Sequence, residues 1–129
     1  MSLLNTKAGI EQYFINGWTQ TSIQFEGAHF DYSSLTKWIS LKFAPILNDQ
    51  YAYDGSNTGR VNYTGQMQVF CYAQNSPLAY KLADDVITFL SGKHIGTIEI
   101  GFGQAEGSAL RLDSGIFEMM ITFIVENRV

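Results

Sequence analysis

VNYTGQMQVFCYAQNSPLAYKLADDVITFL, residues 61–90, changes its hydrophobic period halfway along. Up to residue 74, Val61, Tyr63, Met67, Val69, Cys71 and Ala73 keep one parity, and Asn62, Thr64, Gln66 and Gln68 keep the other. Successive side chains of a strand point to opposite faces. The pattern therefore predicts a strand over 61–74, in a sheet with one face on a core and the other wet. From Pro77 the spacing becomes three and four: Ala79, Leu82, Ala83, Val86, Ile87, Leu90. That spacing is one face of a helix over 77–91. Ser76 is placed to cap its first amides, and Pro77 suits the first helical position, where its missing N–H has no helical partner to lose. Gly92 followed by Lys93 ends it.

Upstream, Ile39, Leu41 and Phe43 mark a strand over 36–44 that Pro45 stops, and Ile23 and Phe25 mark a short one over 21–26. Residues 2–17 read as a helix with Leu3, Leu4, Ala8, Ile10, Phe14 and Ile15 on its apolar side and Gly17 as C-terminal cap. Downstream, Ile98, Ile100 and Phe102 form one strand. Phe117, Met119, Ile121, Phe123 and Val125 form a long last one over 116–127, with Glu118, Thr122 and Glu126 opposite. The order helix, strands, helix, strands gives an α+β fold: an antiparallel sheet of about four to five strands with two helices packed on one face. The whole chain, 1–129, reads as one domain of ordinary size. The strands at 61–74 and 116–127 exceed the usual length of about five or six residues, and such projections serve as assembly surfaces.

Hydrophobic residues make up 46% of the chain and charged residues 16%, well under the ~25% of an average globular protein. So few charges suggest that part of the surface is covered by something else. Eight basic residues stand against 12 acidic, a net charge of −4, with no run of Lys or Arg. Binding along a nucleic acid relies on clustered cations that displace counterions from phosphates, so a nucleic-acid binder is disfavoured. No apolar run approaches the roughly 18 residues of a membrane span, and Met1 to Lys7 lack the apolar core of a signal peptide. The expected setting is a cytoplasm. Cys71, the single cysteine, reads as a small buried hydrophobe.

Candidate chemistry is sparse. His29 and Asp31 are an acid–base pair two residues apart, but no nucleophile accompanies them, and an Asp capping its own turn explains the pair better. His94 reads as a cap on the end of the second helix. Asp84 and Asp85 fall on its solvated face. No spacing of His, Cys or carboxylates suits a metal. The glycines of GFGQAEG, 101–107, lack the strand–loop–helix context of a dinucleotide loop. The expectation is no catalytic residue, no cofactor and no metal. Two connections, 48–60 and 103–115, exceed what a hairpin needs, and loops of about 12 residues or more tend to be functional. They supply the candidate protein-interface residues: Asp49, Tyr51, Tyr53, Asp54 and Arg60 on the first, Glu106 and Arg111 on the second. Tyrosine brings apolar area and a hydroxyl at low rotamer cost, so the first connection reads as a docking arm.

The stretch 65–73, GQMQVFCYA, then a short break and AYKLADDV, 79–86, resembles the middle of the phage tail-terminator and tail-completion family. There a long strand starting near a glycine turns into a helix carrying a Leu-Ala-Asp step, here Leu82-Ala83-Asp84. The upstream helix, the Lys37-Trp38-Ile39 strand and the last strand from Gly115 are similar to its layout, over roughly 10–126. The resemblance implies a structural virion protein of long-tailed phages. Such a protein forms a hexameric ring that caps the tail tube and offers the head its attachment surface. Implied partners are other copies of the chain, the tail tube protein and a head–tail connector or neck protein. No membrane and no specific nucleic acid is implied, the genome being a passenger through the ring. The implied location is the head-proximal end of the tail. Two alternatives stay open. One is another neck or head-completion ring protein. The other is a small ligand-binding or enzymatic α+β domain with its pocket between sheet and helices, lined by Phe25, Phe30, Trp38, Phe43 and Tyr72.

Overall fold

The computed structural model describes residues 3–51 and 60–128, with side chains placed outside 45–51, 60–63 and the terminal residues 3 and 128. Its elements run α1 (Leu3–Gly17), β1 (Ser22–Gln24), β2 (Lys37–Tyr51), β3 (Arg60–Ala73), α2 (Ser76–Leu90), β4 (His94–Ile95), β5 (Ile98–Ile100), β6 (Gln104–Ala105), β7 (Leu110–Arg111) and β8 (Phe117–Arg128). The strands join one sheet in the order β1-β2-β3-β8-β5-β4, with β6 and β7 also laid against β8. Among the described residues the sheet has eight strands: β1, β2, β3, β5 and β8 are those expected from the sequence, and β4, β6 and β7 are two residues each, too short to leave a periodicity. The sheet is antiparallel except for β1, which runs parallel to β2 at Ser22↔Trp38 through Gln24↔Ser40.

Register carries the alternating pattern across the sheet. Ile39 lies opposite Cys71 and Cys71 opposite Met119; Leu41, Val69 and Ile121 form the next row, then Phe43, Met67 and Phe123. All nine are buried, and they join Ile10, Phe14 and Trp18 of the α1 end with Leu82, Val86 and Leu90 of α2 in one apolar cluster. Both helices thus cover the same face of the sheet, as the sequence predicts. Phe89 fastens them together, its ring centroid 4.9 Å from Tyr13, 5.1 Å from Phe14 and 5.3 Å from Trp18. Gly17 does not act as a left-handed cap. A Cβ there would meet the Phe89 ring at 3.1 Å, so its bareness serves close helix contact.

Four details depart from the sequence reading. Helix α1 buries Ile10 and Phe14 but leaves Leu4, Ala8 and Ile15 outside, the first 70% and the last 58% exposed. The buried stripe takes in Thr6 instead, whose hydroxyl accepts a 2.8 Å bond from the Asn127 amide. Pro45 does not stop β2. It pairs with Gly65, and a bulge follows before Leu47. Since β1 accompanies β2 only at 38–40, Pro45 lies on an open edge, where a missing N–H costs no ladder bond. Asn75 rather than Ser76 caps α2, its side chain accepting from Leu78 N–H at 2.9 Å. Phe102 lies outside β5 and is 81% exposed.

Candidate functional site

The residues with catalytic potential do not converge. Asp31 accepts the Ser33 N–H at 3.0 Å, an Asp capping its own turn, and that bond lowers its carboxyl from the usual range. Among the described residues no hydrogen bond or ion pair joins it to exposed His29. Asp85 pairs with Lys81 one turn back at 3.0 Å, and Asp84 is exposed. His94 does not cap α2; it opens β4 opposite Glu99, and the Ser91 N–H closes the helix on Ile87 carbonyl at 2.9 Å. Burial alone pushes the Cys71 thiol up to about 12, so it is no nucleophile. Among the described residues no three His, Cys, Asp or Glu side chains stand where they could hold a metal, and no helix is long and apolar enough to cross a membrane.

The other features of note are surfaces. Strands β2, β3 and β8 run together as far as Asn62↔Arg128. The hairpin then goes on alone through Gln50↔Val61 and Tyr51↔Arg60. Asp49, Tyr51 and Arg60 are therefore strand residues on the end of a projecting ribbon, not residues of a long loop. Residues 52–59, Tyr53 and Asp54 among them, fall outside the described residues. Arg111 is exposed in β7 opposite Phe117, at the far end of β8 from Arg128. Eleven residues at a rise of about 3.3 Å separate the two ends by roughly 36 Å. Glu106 is exposed between them, its N–H donating to Met120 carbonyl at 2.8 Å. The structure thus places the candidate interface residues in separate zones. The connection 103–115 is likewise not free, since β6 and β7 tie it to β8.

The sheet face turned away from the helices holds what the sequence reading missed. Its rows are polar toward the ribbon, with Lys42, Gln68 and Thr122 aligned, but aromatic at the other end. Trp38 lies opposite Tyr72 with ring centroids 5.0 Å apart and planes 17° apart. Tyr32 stacks on the other side of Trp38 at 5.0 Å and 20°, and Phe70 stands 6.4 Å from Tyr72. This stack buries Trp38 to 4% exposure without help from the main core. The signal was present in the sequence: Trp38, Phe70 and Tyr72 hold the positions between the inner-face residues. Around the stack lies a groove of about 350 Å³ lined by Gln24, Tyr32, Trp38, Tyr72, Leu112, Ser114 and Ile116. Of the five aromatics expected in a pocket between sheet and helices, Trp38 and Tyr72 line this groove instead, on the opposite face. Phe43 belongs to the core, Phe25 packs against the core, and Phe30 is half-buried elsewhere.

No protein-family model matches the chain, and no curated protein matches it in sequence. Among solved structures, a chain in the virion of a native gene transfer agent particle is similar to it, with a TM-score of 0.57 and 12% identity. The match covers 95% of this chain and 94% of that one. At that identity the likeness establishes a shared fold, end to end.

Proposed function

We propose that this protein is a structural component of a phage-type virion, a tail-terminator-like subunit that closes with other copies into a hexameric ring between tail tube and head. The observation that carries the reading is the end-to-end fold likeness to a chain of a gene transfer agent virion. The resemblance of residues 65–86 to tail terminators supports it independently. The projecting β2–β3 ribbon and the sparse charge suit a subunit most of whose contacts are with other proteins. Ring closure joins one patch to a different patch on the next copy, and a stable contact of that kind buries upwards of ~1,000 Å² in total. The end of the ribbon, with Asp49, Tyr51 and Arg60, docks on the tail tube or a neck protein, and the sequence that joins its strands adds Tyr53 and Asp54 as candidate contacts. The protein is not an enzyme in this reading, and it works without a cofactor. It is assembled in the host cytoplasm and resides in the virion.

The test is genetic and compositional. Purified particles should contain the chain at a few copies each, and removing its gene should leave heads and tails unjoined. Joined, infective particles made without it would overturn the assignment.

A further inference from the structure

The aromatic groove is built more firmly than a bystander surface requires. On one side Tyr32 is held by a turn in which the Ser33 N–H bonds to Asp31 and the Leu35 N–H bonds to Tyr32 carbonyl at 3.1 Å. On the other, Leu112 N–H bonds to Ile116 carbonyl at 2.8 Å and Gly115 N–H returns to Leu112 carbonyl at 2.9 Å. Gly115 has φ of 86°, a left-handed conformation that few side chains accept. Two fixed walls thus flank a floor of stacked rings, and Tyr32 keeps 54% of its surface in solvent.

The charges beside these walls are of one sign. Asp31 adjoins Tyr32, Asp113 stands between Leu112 and Ser114 of the lining, and Glu118 lies opposite Tyr72 and takes a hydrogen bond from its hydroxyl. Lys37 and Arg111, next in sequence to lining residues, align with Ala73 and Phe117 in a row of the other parity, and Lys42, on the same face as the groove, stands two rows away toward the ribbon, opposite Gln68. Among the described residues no salt bridge engages Glu118 or Asp113.

An aromatic floor with an acidic border recognises a planar cation. Guanidinium stacks on Tyr and Trp faces and is more weakly hydrated than ammonium, so it gains more from both features than lysine does. We propose that the groove receives an arginine side chain presented by a partner protein, its guanidinium packed along the aromatic row with Glu118 as counter-charge. The claim stands apart from the ring reading, since the groove does not lie on the ribbon.

N-acetyl-arginine amide is the probe, with N-acetyl-citrulline amide as its neutral isostere and N-acetyl-lysine amide as a second cation. Binding is followed through the indole N–H signals of Trp38 and Trp18 by NMR, Trp18 being in the core and bonded to Thr21 at 2.9 Å. The Trp38 signal should shift saturably with the arginine probe while Trp18 stays still. Citrulline should bind about tenfold more weakly, and lysine should fall between. Glu118→Gln keeps the shape of the side chain and Tyr32→Ala alters an exposed ring, so both should fold. Each should weaken arginine severalfold. Equal binding of arginine and citrulline, or no saturable shift at Trp38, overturns the proposal. So does a Trp38 signal that moves with protein concentration alone, which would give the groove to a second copy of this chain.

Discussion

Replacing Gly103 by alanine probes how tightly the 101–111 segment is bound to β8. A Cβ at this position would lie 2.6 Å and 2.7 Å from the Phe123 ring and 3.1 Å from the Ile121 methyl. Both neighbours are fully buried, and the Phe123 ring is locked among core residues, so neither yields cheaply. Overpacking of this kind costs about 1–3 kcal/mol. An unfolding entropy of about 2.1 cal/mol/K per residue gives this 129-residue chain ~0.27 kcal/mol/K, so Tm should fall by about 4–11 °C. Differential scanning calorimetry on the purified protein measures the drop. A second variant isolates the cause: Phe123→Leu removes the ring edge that the methyl would strike. Gly103→Ala should then cost less in the Phe123→Leu background than in the wild type, a coupling visible in a double-mutant cycle. A single variant within 1 °C of wild type, or strictly additive variants, would refute the packing argument.

The Asn127 side chain links α1 to the β4–β5 turn, donating to Thr6 at 2.8 Å and accepting from Thr97 at 2.5 Å. Asn127→Ala should therefore cost about 1–3 kcal/mol in urea unfolding, and an unchanged midpoint would count against the network. Asn75→Ala removes the cap of α2 and should cost about 1 kcal/mol, whereas Ser76→Ala should cost far less. Burial raises the Cys71 thiol from 9.0 to about 12, and burial followed by Glu118 raises the Tyr72 phenol as well. Both groups favour the fold fully while protonated, below about pH 9, and that contribution is lost as pH climbs toward 12. Stability should thus decline through this alkaline window. A thiol reagent at pH 8 should label Cys71 only after denaturant is added, and labelling of native protein would show the site to be open.

The inner face of the sheet was legible because burial on one side imposes period two, and Ile39, Cys71 and Met119 fall into register without any knowledge of the turns. The helix α2 was legible for the same reason at a period near 3.6. Helix α1 was legible as a helix but its buried side was not, since it carries apolar residues on two sides. Which side is buried depends on Thr6 meeting Asn127, a partner 121 residues away. Reading Pro45 as a stop assumed a central strand; β1 is so short that β2 is an edge strand there, and the proline survives. That one error turned Asp49, Tyr51 and Arg60 from strand residues into loop residues. The aromatic groove escaped notice because its parts come from residues 24–38, 72 and 112–116, and only the stacking of Tyr32 on Trp38 unites them. Glu106 and Arg111 are exposed, but no local pattern signalled that β6 and β7 would fasten their segment to β8.

The most direct test of the central claim is to locate the chain in the intact particle, by electron cryomicroscopy of virions or by gold-labelled antibody against it. The account predicts density for a ring of six copies at the head-proximal end of the tail, or label confined to that end. Label along the tail shaft, at its distal tip or on the capsid would contradict it, as would particles that lack the chain altogether.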